Sequence, residues 1–292
     1  STLAFWHLLK SREKAPYIFT TDDVPHVYQF LPGVENVKHN LPDFEFDCAI
    51  LFECPDYSRS PARNDFRAKK IVNIDHHPDN KYYGDLNFVD EQSSSIGEFL
   101  FEMLMDLEKK LPYEVVINLY VAVFTDTGGF QFANTTPNTH QVAAKMLDQA
   151  AIPIEEISRK VFQEKDHNVM QLLGRLMNTV QVYEEGFAVS FLPRSFINEF
   201  GVSDADASNF MKDLNAIRGV HTFVIFKEDE QGRVRVSMRS RDIPINGIAK
   251  CFGGGGHSRA AGCTLEGNLK TVSEKVIQAL KDKLKTHKPV HS

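Results

Sequence analysis

A chain of 292 residues with 42% hydrophobic side chains and a formal charge of −6 is long enough for about two domains of ~150 residues and a substantial buried core. The negative balance excludes a protein that coats long nucleic acid electrostatically, and favours small or short anionic ligands held in a local basic pocket. No apolar run approaches the ~20 residues of a membrane span, and the opening residues are too short and too lightly charged for a signal peptide. The four cysteines, Cys48, Cys54, Cys251 and Cys263, form no CxxC pair. They read as reduced thiols, so a cytoplasmic location is expected.

Leu3 to Lys10 reads as a helix already in mid-stride, with no capping segment beyond Ser1, and something is expected to precede it in the natural protein. Pro16 to Thr20, Phe44 to Glu53 and Lys70 to Ile74 read as strands of an α/β sheet, separated by polar, Pro-containing connections. The third strand ends in Asp75-His76-His77, followed by Pro78. In open α/β sheets the carboxyl ends of the strands are where ligands bind. Ser93 to Leu111 carries Ile96, Phe99, Leu100, Met103, Leu104 and Leu107 at spacings of three and four, which predicts an amphipathic helix behind a serine-rich start. Tyr113 to Phe124 is ambiguous, since its valines suit a strand. Its length and Pro112 at the entrance favour a buried helix that delivers Asp126 into the turn Thr127-Gly128-Gly129.

Helical patterns continue from Thr139 to about Asn178, and residues 168–179 read as a helical connection between domains 1–167 and 180–292. Beyond it the texture changes. Val180 to Leu192 and Thr222 to Arg239 read as hairpins turning at Glu184-Glu185-Gly186 and near Asp229 to Gly232, with helices at Asp204 to Ile217 and Leu269 to Leu284. The fold class expected is therefore α/β, with a mainly parallel sheet flanked by helices, plus a smaller α+β domain of mixed sheet.

A lone histidine is usually structural or exposed, which is the reading for His7, His26, His39, His140, His167, His221, His287 and His291. Two adjacent histidines behind an aspartate at a strand end are different. Imidazole with carboxylate suits Mn²⁺, Fe²⁺, Zn²⁺ and similar ions, and alternation along a strand lets His76 bind metal while His77 faces substrate. Asp75 and His77 are the proton-handling candidates, and the bland alternative is an Asx-type turn made by Asp75. Glu53, closing the strand from Cys48, and Asp126 are carboxylates at the ends of buried elements, for which a shared cation or a partner such as Arg59 would offset desolvation. Further on, Phe252 to Gly262 contains Gly254, Gly255 and Gly256, then His257, Ser258 and Arg259. Its backbone N–H groups can converge on an anion, with His257 and Arg259 gripping phosphate oxygens and Arg239-Ser240 adding to the site. A glycine tetrad alone would more often be a flexible loop.

Together these residues resemble the DHH phosphoesterases of the DHH plus DHHA1 type, in particular the standalone nanoRNases and 3'-phosphoadenosine 5'-phosphate phosphatases. Asp75-His76-His77-Pro78 is similar to the name-giving motif, Phe124 to Gly128 to the fourth motif, and Phe252 to Gly262 to the GGGH signature of the DHHA1 domain, so the likeness spans nearly the whole chain. The resemblance implies two Mn²⁺ ions, or Mg²⁺ or another divalent ion. His76 and Asp126 would bind one of them and Glu53 would bridge both. It implies that His77 contacts or protonates the reacting phosphate. It also implies that Arg239, Ser240, His257 and Arg259, with the glycines, hold the terminal phosphate of a short oligonucleotide, pApA or pAp. A homodimer is compatible with it. Two departures stand out. The family's first motif, a His and two Asp ligands, has no counterpart, because the sequence begins at Ser1, which resembles that motif's closing residue; a chain recorded short of its natural start is the expectation. Glu53 stands where members usually carry Asp. The alternatives are a cyclic-dinucleotide phosphodiesterase and a catalytically inactive nucleotide-binding protein.

Overall fold

The computed structural model describes residues 1–60, 66–204, 206–208, 210–214 and 216–286, without the side chains of residues 59, 208, 212, 285 and 286. The side chain of Arg59, weighed above as a salt-bridge partner, and residues His287 and His291 thus lie outside the described residues. The chain divides into two compact units, Ser1–Glu164 and Lys165–Ser292.

The first unit opens with α1 (Thr2–Ser11), followed by the short strands β1 (Ile18–Phe19), β2 (Val37–Lys38) and β3 (Glu45–Phe46), then β4 (Ala49–Phe52), β5 (Arg67–Ala68), β6 (Ile71–Asp75) and β7 (Leu86–Val89). The strand expected over Phe44 to Glu53 is divided in two. Glu45–Phe46 pairs with Arg67–Ala68 and Ala49–Phe52 with Ile71–Ile74, both parallel and in the same register offset. The ladder is interrupted at Asp47, whose carboxylate turns out to Lys69 at 2.7 Å. β4, β6 and β7 form a parallel three-stranded sheet in that spatial order, so Glu53, Asp75 and Asp90 all fall at its carboxyl edge.

The helices of this unit are α2 (Ile96–Leu107), α3 (Tyr113–Asp126), α4 (Pro137–Gln149) and α5 (Ile154–Ser158). Ser95 caps α2 by accepting the Glu98 N–H at 3.1 Å, and Thr136 with Thr139 forms a capping box on α4 behind Pro137. In α3 every residue from Val115 to Val121 is buried. A helix apolar all round loses its 3.6-residue contrast, which is why its valines read equally well as a strand. Its Val116, Leu119 and Val123 pack in one core with Leu100 and Leu104 of α2 and Ile74 of β6.

The second unit contains α6 (His167–Met177), β8 (Gln181–Tyr183), β9 (Phe187–Leu192), α7 (Arg194–Phe200), α8 (Met211–Leu214), β10 (Thr222–Glu228), β11 (Val234–Ser240), α9 (Asn246–Cys251), β12 (Gly255–His257), β13 (Ala260–Leu265) and α10 (Leu269–Thr286). Its six strands form one mixed sheet in the order β12-β13-β11-β10-β9-β8, parallel only between β9 and β10. Both expected hairpins are present. Alternation along the strands separates two cores. Val189, Val224, Phe226, Val236 and Met238 face α9 and α10, whereas Ala188, Phe223 and Ile225 face α6, α7 and α8.

Two expectations differ. Residues 168–179 are for the most part α6, whose Val169, Leu172, Leu173 and Leu176 are buried in the second unit's core. A helix with an apolar face of that width is a core element of one unit, and the division falls between residues 164 and 165. The helix expected from Asp204 to Ile217 is a 3₁₀ turn at Asp206–Ser208 and the single turn α8. The spacing of Ala207, Phe210, Met211 and Leu214 recorded their burial, while the Ser203 hydroxyl accepts the Asp206 N–H at 3.1 Å and closes a local turn.

Asp204 anchors this segment to the sheet. Lys227, 7% exposed, donates to the Asp204 carbonyl at 2.9 Å and lies 2.5 Å from its carboxylate, which also receives Arg194. Hydrogen bonds from Lys227 first and Arg194 second hold the Asp204 carboxyl below the usual range against a burial effect that raises it. A carboxyl depressed in the folded state stabilises it fully above the ordinary pKa of about 3.9 and loses that contribution as pH falls through the lowered value. Asp204→Asn is therefore expected to flatten the acid limb of thermal stability, followed by melting temperature from pH 6 to 2; identical slopes in both proteins would exclude the pair as a source of acid sensitivity.

Candidate active site

The site begins with one buried carboxylate. Asp75, the last residue of β6, is 0% exposed. Its Oδ1 accepts the His76 N–H at 2.8 Å, the His77 N–H at 3.3 Å and His77 Nδ1 at 2.7 Å, and its Oδ2 accepts Asn80 Nδ2 at 2.5 Å. Burial raises the carboxyl, but the hydrogen bonds from His77, Asn80 and the His76 amide outweigh it and hold Asp75 below the ordinary range. The Asx-type turn weighed as the bland alternative is thus present, and so is the aspartate–histidine pair. Asp75, expected beside His77 as a proton-handling group, lies in direct contact with that ring. Its oxygens are enclosed and committed, and it fixes the Nδ1 proton of His77 so that Nε2 points away from it.

His76 is held from the other side. Its Nδ1 donates to the Ser93 carbonyl at 3.2 Å, and its Nε2 lies 3.4 Å from Oδ2 of Asp126, the last residue of α3. A carboxylate at a helix C-terminus opposes the macrodipole. Burial raises the Asp126 carboxyl most, the nearby charge of Glu53 raises it further, and His76 and His77 pull it down. With its Nδ1 proton committed, a neutral His76 turns a lone pair toward that carboxylate. Two acceptors facing each other require a proton on one of them or a cation between them.

That arrangement fits a divalent ion, since 3.4 Å is close to the separation of two neighbouring ligands that each lie about 2.1 Å from a shared ion. Glu53 is not drawn into the pair. It is exposed, its backbone is left-handed at φ 52°, and among the described residues no three His, Cys, Asp or Glu side chains converge on one metal position. Glu53 nevertheless stands near enough for its charge to raise the Asp126 carboxyl.

The turn after α3 is braced locally. Thr127 Oγ1 donates to the Val123 carbonyl at 2.7 Å and accepts the Phe130 N–H at 3.1 Å. Gly128 has φ 59°, the left-handed region that favours glycine, and a Cβ there would displace the Phe132 ring. Several supports escaped the sequence reading. Asn134 Nδ2 donates to the carbonyls of Ser94 and Asp126 at 2.9 and 3.2 Å, tying the loop that holds His76 to the helix end that carries Asp126. Buried Glu98 accepts Thr139 Oγ1 at 2.8 Å and Asn138 at 2.8 Å, and also receives the Ser94 hydroxyl. Asn73 links Asn80 to Tyr83 and to the Cys54 carbonyl. The signal available for these was polar: an asparagine inside an apolar strand, and asparagines closing two motif loops.

In the second unit, Arg239, Gly254, Gly255 and His257 line one open trough of about 1120 Å³. The glycine tract is no flexible loop, because Gly255–His257 pairs antiparallel with Ala260–Gly262. Gly254 lies so close to the next strand that a Cβ would come within 2.2 Å of the Gly262 carbonyl. Three expected residues fall elsewhere. Ser240 points to the opposite face from Arg239 and is buried, with its hydroxyl 3.1 Å from that of Thr222 and accepting the Ile243 N–H. Gly256 alternates away from the trough, and the Arg259 guanidinium folds back onto the Arg241 carbonyl.

Residues 184–286 match the DHHA1 domain. The bifunctional oligoribonuclease and PAP phosphatase NrnA of Bacillus subtilis is 33% identical over 239 residues, covering 81% of this chain and 75% of that protein. Its counterpart of the same description from Thermus thermophilus is 31% identical over 289 residues, covering 97% and 85%. In fold, an exopolyphosphatase-related protein from Bacteroides fragilis superimposes with a TM-score of 0.84 at 22% identity, over 97% of this chain and 88% of that one. A parallel sheet bearing the Asp-His-His edge and a mixed sheet bearing the glycine strand define a two-part phosphoesterase. The chain belongs to the DHH/DHHA1 phosphoesterase family, whose members in general depend on divalent metal ions.

Replacement of Asp75 tests the bracket directly. Asp75→Asn keeps the shape but removes the anion that fixes the His77 tautomer. The expected result is a loss of about 1–3 kcal/mol in denaturant unfolding and a mixed Nδ1–H/Nε2–H signature for His77 in ¹⁵N NMR; an unchanged tautomer would show that the ring is oriented by something else.

Proposed function

We propose that this chain hydrolyses short oligonucleotides, including pApA, and also pAp, to mononucleotides with the help of Mn²⁺. The observation that carries the reading is His76 Nε2 at 3.4 Å from the Asp126 carboxylate, beside the hydrogen-bonded Asp75–His77 pair. The two relatives described as bifunctional oligoribonuclease and PAP phosphatase support the substrate class. His76 and Asp126 would hold an ion, with Glu53 the neighbouring carboxylate. When bound, divalent ions lower the pKa of an attacking water and stabilise both oxygens of an in-line displacement.

The chain's own groups do the rest. Asp75 keeps His77 Nε2 outward, where the imidazolium form of the ring, carrying a second proton taken up from solvent, donates Nε2–H to the leaving oxygen or to a phosphoryl oxygen. Arg239 and His257 grip the terminal phosphate, and the bare backbone of Gly255 lets it approach closely. No described helix is long and apolar enough to cross a membrane, and all four cysteines are free thiols, in keeping with a reducing cytoplasm.

The test is mononucleotide release from a 5'-phosphorylated dinucleotide with Mn²⁺ in the full reading frame. His76→Ala and Asp126→Ala are expected to reduce metal-supported turnover to background, and His77→Ala to lower kcat about 100-fold or more. Full activity in either of the first two variants would refute the metal assignment. Nucleotide binding without turnover in the parent protein would make it a nucleotide sensor.

A further inference from the structure

We propose that the open face of the second unit's sheet measures ligand length. Arg239 and Arg235 hold two phosphates of one short single strand, and the track ends where the remaining cations are already paired. The inference rests on the nucleotide reading above and adds a second phosphate subsite to it.

Strand alternation places Arg235, Ser237 and Arg239 on the same face of β11, outward from the core residues between them. Across this face lie Gly262 of β13, opposite Ser237, and Gly255 of β12, opposite Gly262. The glycines leave the floor of the trough bare midway between the two arginines, with the Ser237 hydroxyl as its polar neighbour. On β9 and β10 the corresponding face is covered by α6, α7 and α8; here it is open and all three side chains line the trough.

The charges in the trough divide into two groups. Arg233 is bound to Asp229 at 2.8 Å and Lys227 to Asp204 at 2.5 Å. Among the described residues Arg235 and Arg239 have no carboxylate partner, and the one side-chain bond recorded for Arg239 runs to the Met238 carbonyl. Solvated arginines are ordinary on a surface. Two that remain unneutralised beside paired neighbours, on one face of one strand, form a site for two anions. Four residues of extended strand separate them by about 14 Å, the span of about four stacked nucleotides at ~3.4 Å each, or of fewer extended ones. Beyond Arg235 the charges are already paired with one another, Lys227 and Arg194 with Asp204, Arg233 with Asp229 and Arg194 with Glu230, so the row of uncommitted cations ends at Arg235.

Equilibrium binding of 5'-phosphorylated oligoadenylates of two to eight nucleotides, in EDTA so that no turnover occurs, tests this. In the parent protein affinity is expected to rise from two to about four nucleotides and then level off. Arg235→Ala should lower the ratio of tetranucleotide to dinucleotide affinity about tenfold and reduce the log–log salt slope for the tetranucleotide by about 0.7. Arg239→Ala should weaken every length. Equal weakening of all lengths by Arg235→Ala, or parent affinity independent of length, overturns the ruler and leaves the phosphodiesterase reading standing. No affinity for any length, the dinucleotide included, would overturn both.

Discussion

Asp75 is a carboxylate without solvent, and the rest of the catalytic edge is arranged around satisfying it. A buried carboxylate costs several kcal/mol unless its lone pairs are filled. Here they are filled by two backbone amides, one imidazole and one carboxamide, drawn from the five residues that follow it. The strand end, the turn after it and the tautomer of His77 are therefore one hydrogen-bonded object. His76 projects from the same turn toward Asp126, and a second set of bonds through Ser93, Ser94 and Asn134 holds the facing loop. The geometry comes from polar satisfaction at the edge, not from the apolar core behind it.

What the edge leaves unsatisfied is as informative as what it satisfies. Asp126 stands at the negative end of α3, partly buried, near another carboxylate and opposite an imidazole lone pair. Each circumstance alone is ordinary, and together they favour a bound cation. The second unit shows the same contrast in another form. Lys227 and Arg194 are paired at Asp204, whereas among the described residues Arg235 and Arg239 have no carboxylate partner where the sheet lies open. In both units the groups left over after structural pairing are the ones suited to ions and phosphates.

The motifs were legible because their chemistry is local. Asp75-His76-His77, Asp126 before its glycines and the Gly254 to His257 tract are each contiguous, and turn chemistry decides their shape. Strand pairing was partly legible. The two hairpins of the second unit were visible in alternation and turn residues, whereas β7 and the break between β3 and β4 were not, since each is defined by a partner strand. α6 read as a connection because amphipathicity shows that a helix packs, and not on which unit.

By itself the sequence determined the two kinds of sheet, the helical spacing and the set of chemically able residues, since period, capping and turn preferences act over a few neighbours. Tertiary structure alone decided which of those residues are used. It enclosed Asp75, turned Ser240 and Gly256 to the far face by strand register, set Glu53 exposed on a left-handed turn, and placed Arg235 in line with Arg239. Those outcomes depend on which strand lies alongside and in what register, a long-range choice that no local pattern encodes.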